Sequence, residues 1–132
     1  MGSWHDYQLI GYTVDGENRQ IIFQMLWASE TKTDISRVNV AFSGVEGYHF
    51  ERDMGENIVS DIKVVPLKPF LVKNARFFKQ QRQWGWPLFW QGSVAATLAY
   101  LESKHVQCWE LSASFGLSGW LLAQGEPNIR FI

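Results

Sequence analysis

The hydrophobic period of this chain changes once, between residues 65 and 69, and that change constrains the fold more than any other feature. Before it, apolar side chains recur at every second position. Ile21, Phe23, Met25 and Trp27 form one such run. Val38, Val40 and Phe42 form another, set against Arg37, Asn39 and Ala41. Ile58, Ile62 and Val64 alternate with Asp61 and Lys63. Period two is the repeat of a strand with one buried face. From Pro69 onward the apolar groups fall instead at Phe70, Leu71, Phe77 and Phe78, which is one stripe of a helix.

The punctuation between these runs predicts the element order. Residues 7–14 and 19–27 flank Asp15-Gly16 and read as a hairpin. A polar loop at 28–34 leads to a strand at 35–43. Gly44 and Gly47 then separate it from a short run at 48–52, and a turn at 53–56 leads to a strand at 57–65. Pro69 suits a first helical turn, and Gly85 with Pro87 marks the end of that helix. Ser93 is placed to cap a second helix carrying Val94, Leu98 and Leu101. Residues 106–113 and 120–124 read as a returning strand pair, with Pro127 before a short tail. The expectation is one α+β domain over residues 1–132: an antiparallel meander of about five strands, two helices and a C-terminal strand pair, packed in layers. A length of 132 residues and 46% apolar composition suit one domain with a real core.

Several classes are excluded at this level. The longest apolar stretch, around residues 94–101, is far shorter than the ~18–20 residues of a membrane-spanning helix, so no membrane role is expected. The lone Cys108 rules out an intramolecular disulfide and a cysteine metal cluster, and reads as a small buried side chain. The first residues carry neither a basic nor an apolar leader segment, which predicts a cytoplasmic protein. Net charge is −1, yet it is unevenly spread. Residues 1–62 carry −6, whereas residues 63–83 carry Lys63, Lys68, Lys73, Arg76, Lys79 and Arg82 with no acid. Such asymmetry marks an interaction surface or a solvated face. With a pI near 6.3 and one basic helix opposed by a larger acidic segment, nucleic acid is not the expected partner.

No reaction is named by a motif. There is no nucleophile elbow, no phosphate-binding glycine loop and no HExxH zinc signature. His5, with His49 and Asp53, allows a three-ligand metal site, but no spacing supports it; neither a metal nor a cofactor is expected. The least ordinary feature is aromatic: seven Trp, four Tyr and nine Phe. In residues 84–90 (WGWPLFW), Trp84, Trp86 and Trp90 cannot all share one face with Phe89, so one ring at least is left for solvent, a ligand or a partner. The binding candidates are therefore Glu46, Glu51, Asp53 and Glu56 on the acidic strands and turn, Lys73 and Arg76 on the basic helix, and Trp84, Trp86 and Trp90. The expected partner is another protein. The alternatives are a sugar or nucleotide in an aromatic pocket and, behind both, a metal-dependent hydrolase using His5, Asp6 and His49.

Ser3-Trp4-His5-Asp6, the hairpin, Phe42-Ser43-Gly44-Val45 and Asn57-Ile58-Val59 carry a resemblance over residues 3–65. The chain resembles small bacterial domains that open on an aromatic-His-Asp signature and carry a later F-x-G-V … N-I/V-I pattern. Some of these are grouped with immunity proteins of polymorphic toxin systems. The resemblance implies a cytoplasmic, non-catalytic protein that binds and blocks a partner, and it transfers no catalytic residue.

Overall fold

The computed structural model describes residues 4–132; Ser3 of the opening signature lies outside them, with Met1 and Gly2. Six strands and two helices follow in order. They are β1 (Gln8–Asp15), β2 (Gln20–Ala28), β3 (Ile35–Glu51), β4 (Asn57–Val65), α1 (Leu67–Gln81), α2 (Val94–Ser103), β5 (Val106–Phe115) and β6 (Ser118–Phe131). A short 3-10 turn, Arg82–Trp84, follows α1.

The expected layered meander is overturned: the strands close into an antiparallel barrel in the order β1-β2-β3-β6-β5-β4. In a meander β4 would lie beside β3. Here it crosses to pair with β1, at Gln8↔Ile58 and Leu9↔Asn57, so the first four strands form a Greek key. Two further backbone bonds reinforce this seam, Asp6 N–H to the Val59 carbonyl at 2.9 Å and Val59 N–H to the Tyr7 carbonyl at 2.8 Å. The β5–β6 hairpin fills the gap between β4 and β3.

Closure depends on two long bent strands that sequence punctuation divides. β3 runs unbroken through Gly44 and Gly47, pairing with β2 up to Ile21↔Phe42 and continuing along β6 to Glu51↔Ser118. Its register shifts between Ser43 and Gly47, where Gly44 takes φ +60°, so these glycines bend the strand rather than end it. Gly47 is also a close-approach site: a Cβ there would lie 2.6 Å from the Phe89 ring. β6 likewise absorbs Pro127 and joins the returning strand to the tail.

Two apolar interiors result. The barrel encloses Leu9, Ile21, Phe23, Met25, Val38, Val40, Phe42, Trp109 and Leu121, with ring contacts Phe23–Phe42 at 5.9 Å and Phe42–Trp109 at 5.3 Å. The helices lie outside it and bury a second layer of Leu71, Phe78, Phe89, Trp90 and Leu101 against Val106, Cys108 and Leu122. Strand β6 is thus covered on both faces, which explains its unbroken apolar run Trp120-Leu121-Leu122-Ala123. Helix α1 starts two residues earlier than expected, with Pro66 as its cap and Pro69 in its first turn, where a missing N–H costs nothing. Ser93 caps α2 as its side chain accepts from the Ala96 amide at 3.1 Å.

Candidate functional site

Helix α1 buries Leu71 and Phe78, seven residues apart, and so turns the opposite side outward. That side shows Lys68, Val72, Lys73, Arg76, Phe77 and Lys79, and Arg82 and Trp84 follow in the next turn. Lys73, Arg76, Lys79 and Arg82 recur at every third residue. The ion pairs of the described residues are His5–Asp6, Arg19–Glu46, His49–Glu51 and Arg52–Glu51. None of them includes a base of this helix or its following turn.

Beneath this face runs an aromatic band. Phe78 sits at its centre, with ring centroids at 5.2 Å to Phe89, 5.7 Å to Trp120, 5.9 Å to Trp86 and 6.1 Å to Trp90. Trp86 also touches Phe77 at 5.7 Å and His49 at 6.5 Å, and His49 stacks on Trp120. The three tryptophans singled out from sequence therefore part company. Trp90 is 6% exposed and belongs to the core, Trp84 is 78% exposed, and Trp86 lies between them. They do not line one pocket. Leu88, which no sequence signal singled out, is 71% exposed beside Trp86.

Three depressions border the band. A groove of about 610 Å³ lies between α1 and the outer face of β5 and β6; it brings Lys73 and Asn74 opposite Glu51, Arg52 and Glu110, with Phe70 and Trp120 in its lining. A smaller, mostly apolar cleft of about 250 Å³ is lined by Val14, Ile21, Val45, Tyr48, Trp86 and Leu88. Beside it, a polar recess of about 310 Å³ holds Tyr100, Lys104 and Gln124. Arg19 and Glu46 stand on the boundary between the last two.

The four acidic candidates are scattered over this surface. Glu46 is a brace: its side chain is 8% exposed, accepts from the Tyr100 hydroxyl at 2.5 Å and takes Arg19 Nη2 at 3.1 Å, tying α2 and the β1–β2 turn to β3. Lys104 lies over the Tyr100 ring, and its ammonium is held above the usual lysine range, first by a hydrogen bond with Tyr100 and then by the Glu46 charge. Glu51 lines the large groove. Asp53 serves the β3–β4 turn, where it accepts from Asn57 Nδ2 at 3.0 Å and the Gly55 amide at 2.9 Å, and these bonds hold its carboxyl below the usual range. Glu56 borders a different depression with Asp6, Ile58 and Phe115. Only Glu51 meets a basic candidate, Lys73, in a shared groove.

Cys108 is buried, and desolvation, then the Glu110 charge, push its thiol up to about 12. Among the described residues, His, Cys, Asp and Glu side chains do not gather in a group of three or more that could hold a metal ion, so His5, His49 and Asp53 are not brought together. No helix is long and apolar enough to cross a membrane. In comparisons with family models, curated proteins and solved structures, none matches this chain.

Proposed function

We propose that this chain is a non-catalytic protein-binding domain of the immunity type, acting in the bacterial cytoplasm by covering the working surface of a toxin. The observation that carries the reading is the outer face of α1 and its following turn: five cations with no ion pair among the described residues, set among exposed Val72, Phe77, Trp84 and Leu88. Like charges three or four residues apart cost a helix about 0.2–0.5 kcal/mol per pair. Folding gains nothing from this arrangement. Association with an acidic surface does, because complementary charge accelerates encounter, while aromatic and arginine side chains are the usual anchors of an interface core. The direct test is complex formation with the product of the gene adjacent to this one, followed by size-exclusion chromatography and rescue of growth. Complex formation that is weakened, but not abolished, by the pair Lys73→Glu and Arg76→Glu supports the reading. No complex, or one indifferent to the charge reversal, refutes it.

A second reading has its own observation. The large groove combines Phe70 and Trp120 with Glu51, Arg52, Lys73, Asn74 and Glu110, a mixed donor and acceptor set suited to a polar small ligand such as a sugar or nucleotide. Titrating tryptophan fluorescence with a panel of both classes tests it, and silence across the panel removes it.

A further inference from the structure

We infer that an extended, acidic segment of the protein partner adds itself as a strand to the exposed edge of β3 and inserts one bulky apolar side chain into the cleft beside it. This rests on the protein-binding reading above and specifies its mode.

The edge comes from the bend in β3. Pairing with β2 stops at Ile21↔Phe42. Val45 is then occupied by Arg19, which accepts from the Val45 amide at 2.9 Å and returns its Nε–H to the Val45 carbonyl at 3.1 Å. Arg19 thus closes the ladder in place of a further strand residue. From Gly47 to Glu51, β3 pairs with β6 on one edge, and among the described residues no strand covers the other. Such an edge is a template for strand addition, in which backbone bonds give affinity and side-chain pockets give specificity.

The pocket is in place. Gly47 and Tyr48 of this same stretch line the apolar cleft, whose far wall is Trp86 and Leu88. Its volume, about 250 Å³, falls below the ~300 Å³ at which small-molecule pockets begin, and suits a single large side chain. Val14, Tyr48 and Leu88 at its rim are all exposed, an arrangement that water does not favour and a partner's apolar side chain would relieve. Charge selects the flanking residues. Trp86 touches Phe77 of α1, so a chain lying across the cleft passes onto the unpaired cations of the helix, and it is this end that selects acidic residues; at the other side stand Asp15 and Arg19, the latter already paired with Glu46. Alternating residues of an added strand point to opposite sides, which lets apolar groups enter the cleft while acidic ones face outward.

The test uses the full chain and a fluorescein-labelled heptapeptide, Glu-Val-Glu-Leu-Glu-Val-Glu, followed by anisotropy. The expected result is saturable binding that weakens about five- to tenfold with Leu88→Ser and when alternate peptide amides are N-methylated, as for an interface anchor. Ile35→Ser, an exposed change at the opposite end of β3, leaves it unaltered. Absence of saturable binding at millimolar chain overturns the inference. Binding that responds to Lys73→Glu but ignores both Leu88→Ser and N-methylation overturns the strand-addition mode while leaving the protein-binding reading intact.

Discussion

Replacing Phe78 by alanine tests how the helices are held to the barrel. The side chain is wholly buried and touches rings from α1, residues 86–90 and β6. Removing a buried phenylalanine costs ~3–5 kcal/mol, and the cost rises when the site cannot collapse. Here the walls, Leu71, Phe89, Trp90, Trp120 and Leu122, belong to separate elements anchored elsewhere, which places the loss near the upper end, about 4–5 kcal/mol. That is a large share of the ~5–15 kcal/mol stability of a domain, and lowers the melting temperature by about 12–20 °C at this size. The loss should not fall evenly, because the barrel interior contains no atom of Phe78. The helical layer loosens first, and with it the cover over Cys108. Urea unfolding followed by tryptophan fluorescence measures the energy, and thiol labelling reports the layer; Phe78→Leu should recover most of both. A loss under about 1 kcal/mol with Cys108 still shielded would refute the second core as a stabilising unit.

Other perturbations follow from single contacts. Asn57 is buried, and its Oδ1 accepts from the Leu117 amide at 2.7 Å and the Met54 amide at 3.1 Å, joining the β3–β4 turn to the β5–β6 hairpin. Asn57→Ala leaves the buried Leu117 amide unpaired and should cost about 2–3 kcal/mol in urea unfolding, whereas an exposed substitution such as Ile35→Ser stays within about 0.5 kcal/mol. Cys108 should resist thiol reagents at pH 8 in the native protein and react once unfolded. Its raised folded-state value favours the neutral thiol, so this contribution to stability is complete below about pH 9 and is lost as pH rises toward about 12. The sign reverses for Asp15 and Asp53, whose carboxyls are lowered, first by Asn18 and Asn57 side-chain hydrogen bonds respectively. Their stabilisation is present above the unfolded value near ~3.9 and disappears as pH falls through the folded values, so thermal melts should soften below about pH 4, less so in Asp53→Asn.

The strands were largely legible because each is a local period. Val38, Val40 and Phe42 do share the interior face, and the hairpin around Asp15-Gly16 forms. Their assembly was not legible. Gly44, Gly47 and Pro127 carry the local signal of a break, yet in a barrel they bend strands that continue. Closure rests on the pairing of residues 8 and 9 with residues 57 and 58, which no window of sequence contains. The basic helix was visible as a charge run, since solvated cations need no tertiary context. Glu46 was misleading for the opposite reason: a carboxylate in an acidic segment becomes a brace only because Tyr100, 54 positions away, is folded against it. Leu88 escaped notice because an aliphatic residue among aromatics reads as core, and the packing of Phe89 and Trp90 instead leaves it outside.

The association rate with the adjacent gene's product, measured by stopped flow at about 50 and about 500 mM salt, tests the role given to α1 most directly. The unpaired cations predict a rate that falls at least ~10-fold across that range in the native chain and hardly at all after Lys73→Glu and Arg76→Glu. Equal rates at both salt concentrations in the native chain would contradict it.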